Sequence, residues 1–264
     1  MFGSLSDFKN ANQTDFGEQL LNTVASQSLR RLFTESDVID VTIRCYPSSK
    51  LLQGSIDSFK MHGQGLVIRR EFRTAEMSFE TDAITLDFGS ILKGQIKLKQ
   101  PAQAIAQVSL TEDDINQAFT AKLVRQRLEH VETPALLALS GDEPVTFSQV
   151  SLQLLPNNQV KIFTQATLPH HGEVPTAIIA TLMVERRRRI GFQNAIFQPD
   201  QIPEALHPIS QRLGKALAEI LDNMVDLERF NLDGVDLRIN RLETQGQNLL
   251  FSGYAQINHF PKQG

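Results

Sequence analysis

Residues 76–88 read EMSFETDAITLDF, and the apolar phase slips inside them. Met77 and Phe79 fall on one alternation; Ile84, Leu86 and Phe88 fall on the other. A period of two marks a strand with one dry face, and a change of face near Asp82 and Ala83 marks a bulge or sharp bend. The same alternation recurs outward from this stretch. Residues 38–45 set Ile39, Val41, Ile43 and Cys45 against Asp40, Thr42 and Arg44, and residues 102–110 set Ala102, Ala104, Ala106, Val108 and Leu110 against polar neighbours. Residues 92–98 oppose Leu92, Ile96 and Leu98 to Lys93, Gln95 and Lys97. Long bent strands of this kind curl a sheet into a trough or open barrel with a wide apolar inner face.

Helical patterns flank the strands. Residues 15–33 place Phe16, Leu20, Leu21, Val24, Leu29 and Leu32 along one side, with Asp15 as a cap. The mixed polar face of this helix predicts packing onto the sheet rather than insertion in a membrane. Thr111 opens a second helix, its hydroxyl free to accept a first-turn amide while Glu112, Asp113 and Asp114 meet the positive end of the dipole. That helix is expected to run to about Val131. Strands follow at 145–155, 159–168, 176–187 and 190–197, then a helix near 203–226 carrying Leu206, Ile209, Leu213, Ala216, Leu217, Ile220, Leu221 and Met224. Pro208 is expected to delay its start. A last hairpin, 235–244 and 248–258, turns at Gly246 and Gln247.

The expected fold class is therefore α+β: an elongated, strongly curved antiparallel sheet packed with two or three long amphipathic helices. One elongated domain over residues 1–264 accommodates it. The order of elements allows two pseudo-repeats, about 37–133 and 145–258, behind the N-terminal helix.

Composition narrows the function. The 264 residues are 41% hydrophobic, enough for a packed core, and carry a net charge of −4, so nothing global draws the chain onto nucleic acid. Only two tyrosines and no tryptophan accompany the cations, which also disfavours nucleic acid. The single cysteine, Cys45, excludes an intrachain disulfide and reads as a small buried hydrophobe. The longest nearly apolar run, residues 177–184, falls far short of the roughly 18–20 residues of a membrane-spanning helix. The N-terminus shows no basic segment followed by an apolar stretch, so a cytoplasmic location is expected, with peripheral visits to a membrane.

Catalytic signatures are missing: no Gly-x-Ser-x-Gly elbow, no His-Glu-x-x-His and no phosphate loop ending in Gly-Lys-Ser/Thr. Gly63-Gln64-Gly65 reads as a turn. His170, His171 and Glu173 share a loop but lack a partner pair at ligand spacing, and the segment from Asn231 to Asp236 lacks the last glutamate of a calcium loop. No catalytic residue, metal or cofactor is expected.

Two features rise above this background. From Thr176 to Arg189, Ile178, Ala180, Leu182 and Val184 lie in one phase and Ala177, Ile179 and Met183 in the other, so both faces are apolar. Such a strand is either sandwiched inside the protein or lines a lipid cavity on one face. Arg186, Arg187, Arg188 and Arg189 follow directly. A regular strand would point two of them inward at the mouth of that cavity, where guanidinium groups suit a phosphate headgroup; pairing with surface carboxylates is the alternative. The candidate cavity residues are Met77, Phe79, Ile178, Ala180, Leu182, Met183 and Val184, and the candidate headgroup residues are the four arginines.

One resemblance joins these signals. Leu51-Leu52-Gln53-Gly54-Ser55-Ile56, Gly63-Gln64-Gly65-Leu66, Leu92-Lys93-Gly94-Gln95-Ile96, Pro101 and Leu110-Thr111-Glu112-Asp113-Asp114-Ile115-Asn116 resemble the LmeA-type phospholipid-binding family. The last block, a strand running into a capped helix, is the most specific. Residues 20–130 carry the likeness well and the remainder in outline. The resemblance implies a β-rich elongated fold with an apolar interior, phospholipid bound without catalysis, and a role in membrane or envelope maintenance. It supplies no site residues position by position. Relatives in the envelope need an export signal, whereas the expectation here is a cytoplasmic protein that touches the membrane surface transiently. The rival expectation is a protein-interaction module whose core is fully packed and holds no lipid.

Overall fold

The computed structural model describes residues 22–259 except 24, 28, 48, 69, 92–96 and 227–233. The described residues between 22 and 30 are helical (α1). There follow β1 (Val38–Arg44), α2 (Ser49–Leu52), β2 (Ser55–Ile56), β3 (Ser58–Ile68), β4 (Phe72–Thr81), β5 (Ile84–Thr85), α3 (Phe88–Ile91) and β6 (Ala102–Thr111). Three helices come next: α4 (Glu112–Ala118), α5 (Lys122–Leu128) and α6 (Pro134–Ser140). The remainder is β7 (Thr146–Leu155), β8 (Gln159–Leu168), β9 (Gly172–Glu185), β10 (Arg189–Phe197), α7 (His207–Asp222), β11 (Val235–Gln245) and β12 (Asn248–Ile257).

The strands form two main antiparallel sheets rather than one. Six strands run in the order β1-β3-β4-β6-β12-β11, and four in the order β10-β9-β8-β7. Neither closes into a barrel. The final hairpin joins the first sheet because β12 pairs with β6 from Ala102↔Ile257 to Thr111↔Asn248. The phase slip in residues 76–88 is the point where the chain leaves one sheet for another. β4 ends at Thr81, Asp82 and Ala83 bend, and Ile84 pairs with Ile56 in a separate two-stranded ladder.

One face of the large sheet is dry. Met61, Phe79 and Ala106 align across three strands, and the alternating alanines of β6 keep that face shallow. Ala25, Leu29 and Phe33 at the N-terminal helix pack in the same cluster as Ile43, Phe59, Met77 and Ala104. The helix thus covers the sheet; Phe16, Leu20, Leu21 and Val24, which were expected to do so, lie outside the described residues. Cys45 is buried, with its thiol 3.3 Å from the Ser55 carbonyl oxygen.

The second cluster lies between the four-stranded sheet and α7. Leu213, Ala216, Leu217 and Leu221 face Ile162, Ile178 and Ala180. Gly214 allows the close approach, since a Cβ there would lie 2.7 Å from Ile178 Cγ2. α7 spans 16 residues with Pro208 in its first turn, after a 3-10 turn at Glu204–Leu206.

Three expectations change. The helix from Thr111 toward Val131 is broken: Thr120 Oγ1 donates to the Gln117 carbonyl, Ala121 is extended, and the Lys122 amide donates to Glu71 Oε1 at 3.0 Å. The break turns Val124 and Leu128 into the second core while Ile115 and Phe119 stay between the sheets. Among the described helices only α7 is long, so the two or three long helices are not found; α6, capped by Thr133, was not anticipated. Gly63-Gln64-Gly65 is no turn but lies inside β3, with Gly65 at φ 59°. The strand expected at 92–98 falls largely outside the described residues; Leu98 bridges Leu86.

Side chains from one half satisfy exposed strand edges of the other. Asn116 accepts from the Leu152 amide at 2.7 Å and donates to its carbonyl at 2.9 Å, and Glu112 Oε2 accepts from the Leu154 amide at 2.8 Å. Asn158 binds β11 likewise, donating to the Leu242 carbonyl and accepting from the Thr244 amide. These bonds occupy edge groups that would otherwise face water or another chain. They also hold the sheets against each other at the place where an apolar crevice opens.

Candidate functional site

The crevice lies where the start of β4 and the end of β6 meet the four-stranded sheet, with α4 contributing to its lining together with Met224 and Val225, just after α7. Its volume is about 260 Å³. Phe72, Leu110, Ile115, Phe119, Met224 and Phe251 line it and are only partly buried, while Met77, Val108, Leu182 and Phe192 form its floor. Leu110 and Phe251 pack against both core clusters, so the crevice is the seam between the two cores. Large apolar side chains converging on one incompletely filled space leave surface whose burial stabilises by roughly 25 cal/mol per Å² when an apolar group enters.

One ion pair interrupts the apolar lining. Arg73 Nη1 donates to Asp114 Oδ1 at 2.8 Å, and Nη2 lies 3.5 Å from Asp37 Oδ2. The partners differ in burial: the side chain of Asp114 is 3% exposed, that of Arg73 38% and that of Asp37 72%. Asp114 is fixed by local chemistry, because it completes a capping box with Thr111. Its amide donates to Thr111 Oγ1 at 3.1 Å, and its Oδ2 accepts from the Thr111 amide at 3.0 Å. The hydrogen bond to Asp114, backed by attraction to both carboxylates, outweighs partial burial and pushes the Arg73 guanidinium further toward its charged form. Asp37 reaches Arg73 across Gly65, where any side chain would collide with the carboxylate.

The residues expected from sequence are scattered. Met77 and Leu182 line the crevice. Phe79 is buried in the first core, and Ile178 and Ala180 are buried in the second. Val184 is half-buried against that second core, and Met183 is exposed.

Arg186, Arg187 and Arg188 form a hairpin turn, and Arg189 opens β10. Arg186 and Arg187 have φ of 48° and 61°, so the expected division of the four into inward and outward pairs does not arise. Arg187 binds the Asn240 side chain, and its carbonyl accepts from the Ile239 amide at 2.8 Å. Arg188 follows within the turn, its amide donating to the Glu185 carbonyl at 3.0 Å. Arg189 Nη2 donates to the Asp222 carbonyl at 2.7 Å, where a cation complements the C-terminal end of α7.

Arg73, Phe72 and Phe251 were not singled out by sequence reading, and Phe119 was read only as part of the buried stripe of the helix that Thr111 opens. Asp114 was named, but only as part of a helix start. Residue spacing carries no sign that position 73 meets position 114; an apolar residue on α4 next to an acidic cap was the only available hint.

Other surfaces differ in character. A groove of about 820 Å³ between α7 and β10 is mostly apolar, lined by Ile178, Phe192, Ile196 and Phe197, with charged residues such as Glu185 and Lys215 also in its lining. A trough of about 280 Å³ on the far face of the large sheet is lined by Glu76, Ser78, Gln107, Arg241 and Glu243. His170, His171 and Glu173 are exposed at the β8–β9 turn. Among the described residues no group of three or more His, Cys, Asp or Glu is placed to hold a metal ion, and no helix is long and apolar enough to cross a membrane.

The model of the LmeA-like phospholipid-binding family matches residues 13–253, nearly the whole chain. No curated protein and no solved structure matches it.

Proposed function

We propose, from the premise that this chain belongs to the LmeA-like phospholipid-binding family, that the crevice between the two sheets receives a phospholipid acyl chain and that Arg73 meets the phosphate at its rim. The observation that carries this reading is the combination of an apolar lining with a single half-exposed guanidinium. A volume of about 260 Å³ lies just under the roughly 300–1,000 Å³ of small-molecule pockets, so the crevice takes a segment of one chain rather than both tails. Each methylene buried there contributes roughly 0.8 kcal/mol.

In this reading the protein works without covalent chemistry, loading and releasing lipid during transient visits to a membrane surface from the cytoplasm. Arg73 is suited to the phosphate because its planar fork can bind two oxygens at once, and Asp114 holds that fork in place.

Native mass spectrometry of the full chain after incubation with phosphatidylcholine vesicles tests the proposal. The wild type is expected to retain one phospholipid. Phe119→Glu, which places a charge on the half-buried wall, is expected to retain none while keeping the same circular dichroism. Equal retention by both proteins would rule the crevice out.

A further inference from the structure

We infer that the outer face of α5 docks the protein on an anionic membrane surface. The choice of a membrane as partner rests on the lipid reading above, and the helix adjoins the crevice, since Val124 lines it from the buried side. Opposite Val124 and Leu128, α5 exposes Lys122, Leu123, Arg125, Gln126 and Arg127, and it contains no carboxylate. Residues three and four apart share a helical face, so Leu123 lies beside Arg127 and Lys122 beside Arg125. Leu123 is 49% exposed, an apolar group held among cations. An anionic lipid surface matches both parts: its headgroups take the charges and its interface takes the leucine.

Neighbouring elements decide how much of this charge is available. Glu129, just past the helix, accepts from Arg125 Nε at 2.9 Å and Nη2 at 2.7 Å. At the other end α5 lacks a side-chain cap, and Glu71 Oε1 accepts from the Lys122 amide instead. That bond ties the β3–β4 turn, with its exposed Arg70, to the start of α5. Glu132 is exposed beyond the end of the helix. Among the described residues no carboxylate forms an ion pair with Arg70, Lys122 or Arg127. Arg212 and Lys215 on α7 are unpaired as well, but they stand in a groove that also holds Glu185, Glu219 and Asp222. In a chain of net charge −4, attraction to an anionic surface has to come from a local patch, and on α5 the unpaired cations and the exposed leucine share one short helix.

The experiment is flotation of the full chain with phosphatidylcholine vesicles and with vesicles enriched in phosphatidylglycerol, followed by native mass spectrometry of the protein recovered from them. The wild type is expected to float with the enriched vesicles, to float far less with the others, and to be released by raised salt. Lys122→Gln combined with Arg127→Gln is expected to weaken binding to the enriched vesicles about twenty-fivefold, at about fivefold for each cation near the surface. Arg212→Gln combined with Lys215→Gln makes the same change in net charge on α7 and is expected to stay within about threefold of the wild type. Leu123→Ser is expected to weaken binding while leaving its salt dependence unchanged, because apolar burial is not screened. Equal flotation with both vesicles, wild-type flotation of the α5 variant, or an equal loss in the α7 variant would overturn the docking surface. The crevice reading stands or falls separately, on retained lipid: flotation that follows the α5 cations with no lipid retained would overturn the crevice and uphold the docking surface, whereas retained lipid without flotation that follows them would do the reverse.

Discussion

Arg73 and Asp114, 41 residues apart in sequence, meet at 2.8 Å between Nη1 and Oδ1, and the carboxylate is almost wholly excluded from solvent. The contact joins β4 of the large sheet to the first turn of α4, and so fixes one wall of the crevice to another. Its loss should be felt in stability before it is felt in binding. Asp114→Ala removes an N-cap partner, at about 1 kcal/mol, and a charged hydrogen bond, at roughly 1.5–3 kcal/mol. Arg73 keeps access to water, so the total should fall near 2–4 kcal/mol and not reach the upper end seen when a wholly buried charge is stranded. Urea unfolding of the variant measures this directly.

Gly214→Ala should destabilise the protein although alanine is the better helix former by up to about 1 kcal/mol. The new methyl would sit 2.7 Å from Ile178 Cγ2, a stiff β-branched group buried in β9, so α7 must lift from the sheet. Overpacking of this kind costs roughly 1–3 kcal/mol, and a lowered thermal midpoint is the expected result.

The arginine run should divide by structural role and not by strand alternation. Arg189→Gln should cost about 1 kcal/mol, because Arg189 binds the Asp222 carbonyl at the end of α7. Arg186→Gln, on the exposed turn, should stay within about 0.5 kcal/mol of the wild type. Parallel thermal melts separate the two.

Asp57 offers a pH-resolved test at the far end of the sheet. The Lys50 ammonium, at 2.7 Å, and next the Tyr46 amide hold its carboxyl below the ordinary value of 3.8. A depressed carboxyl contributes stability that is present above the unfolded value and lost as pH falls through the lower folded value. Lys50→Ala should therefore move the Asp57 titration upward, toward the ordinary value, in carbon-detected NMR.

Much of the strand content was legible because alternation reports burial directly. The slip at Asp82 and Ala83, the Thr111 cap and the hairpin at Gly246 all stand where local chemistry placed them. The partition into two sheets was not legible, since alternation says which face of β12 is dry and nothing about its pairing with β6. The arginine turn was hidden for a related reason: positive φ is usually announced by Gly or Asn, and at Arg186 and Arg187 it is adopted by residues that give no such sign. The crevice was legible only in part: Met77 and Leu182 were named from sequence, but the rest of its lining comes from segments such as β6, α4, β10, β12 and the residues after α7, and alternation does not say that these meet.

The most direct test of the lipid account is photo-crosslinking of the full chain with a phosphatidylcholine carrying a diazirine in one acyl chain, followed by peptide mapping. The account predicts adducts concentrated at residues 108–119, 224–225 and 249–251, which line the crevice from three separate parts of the chain. Adducts concentrated instead at residues 211–219 and 193–197, on the groove between α7 and β10, would contradict it.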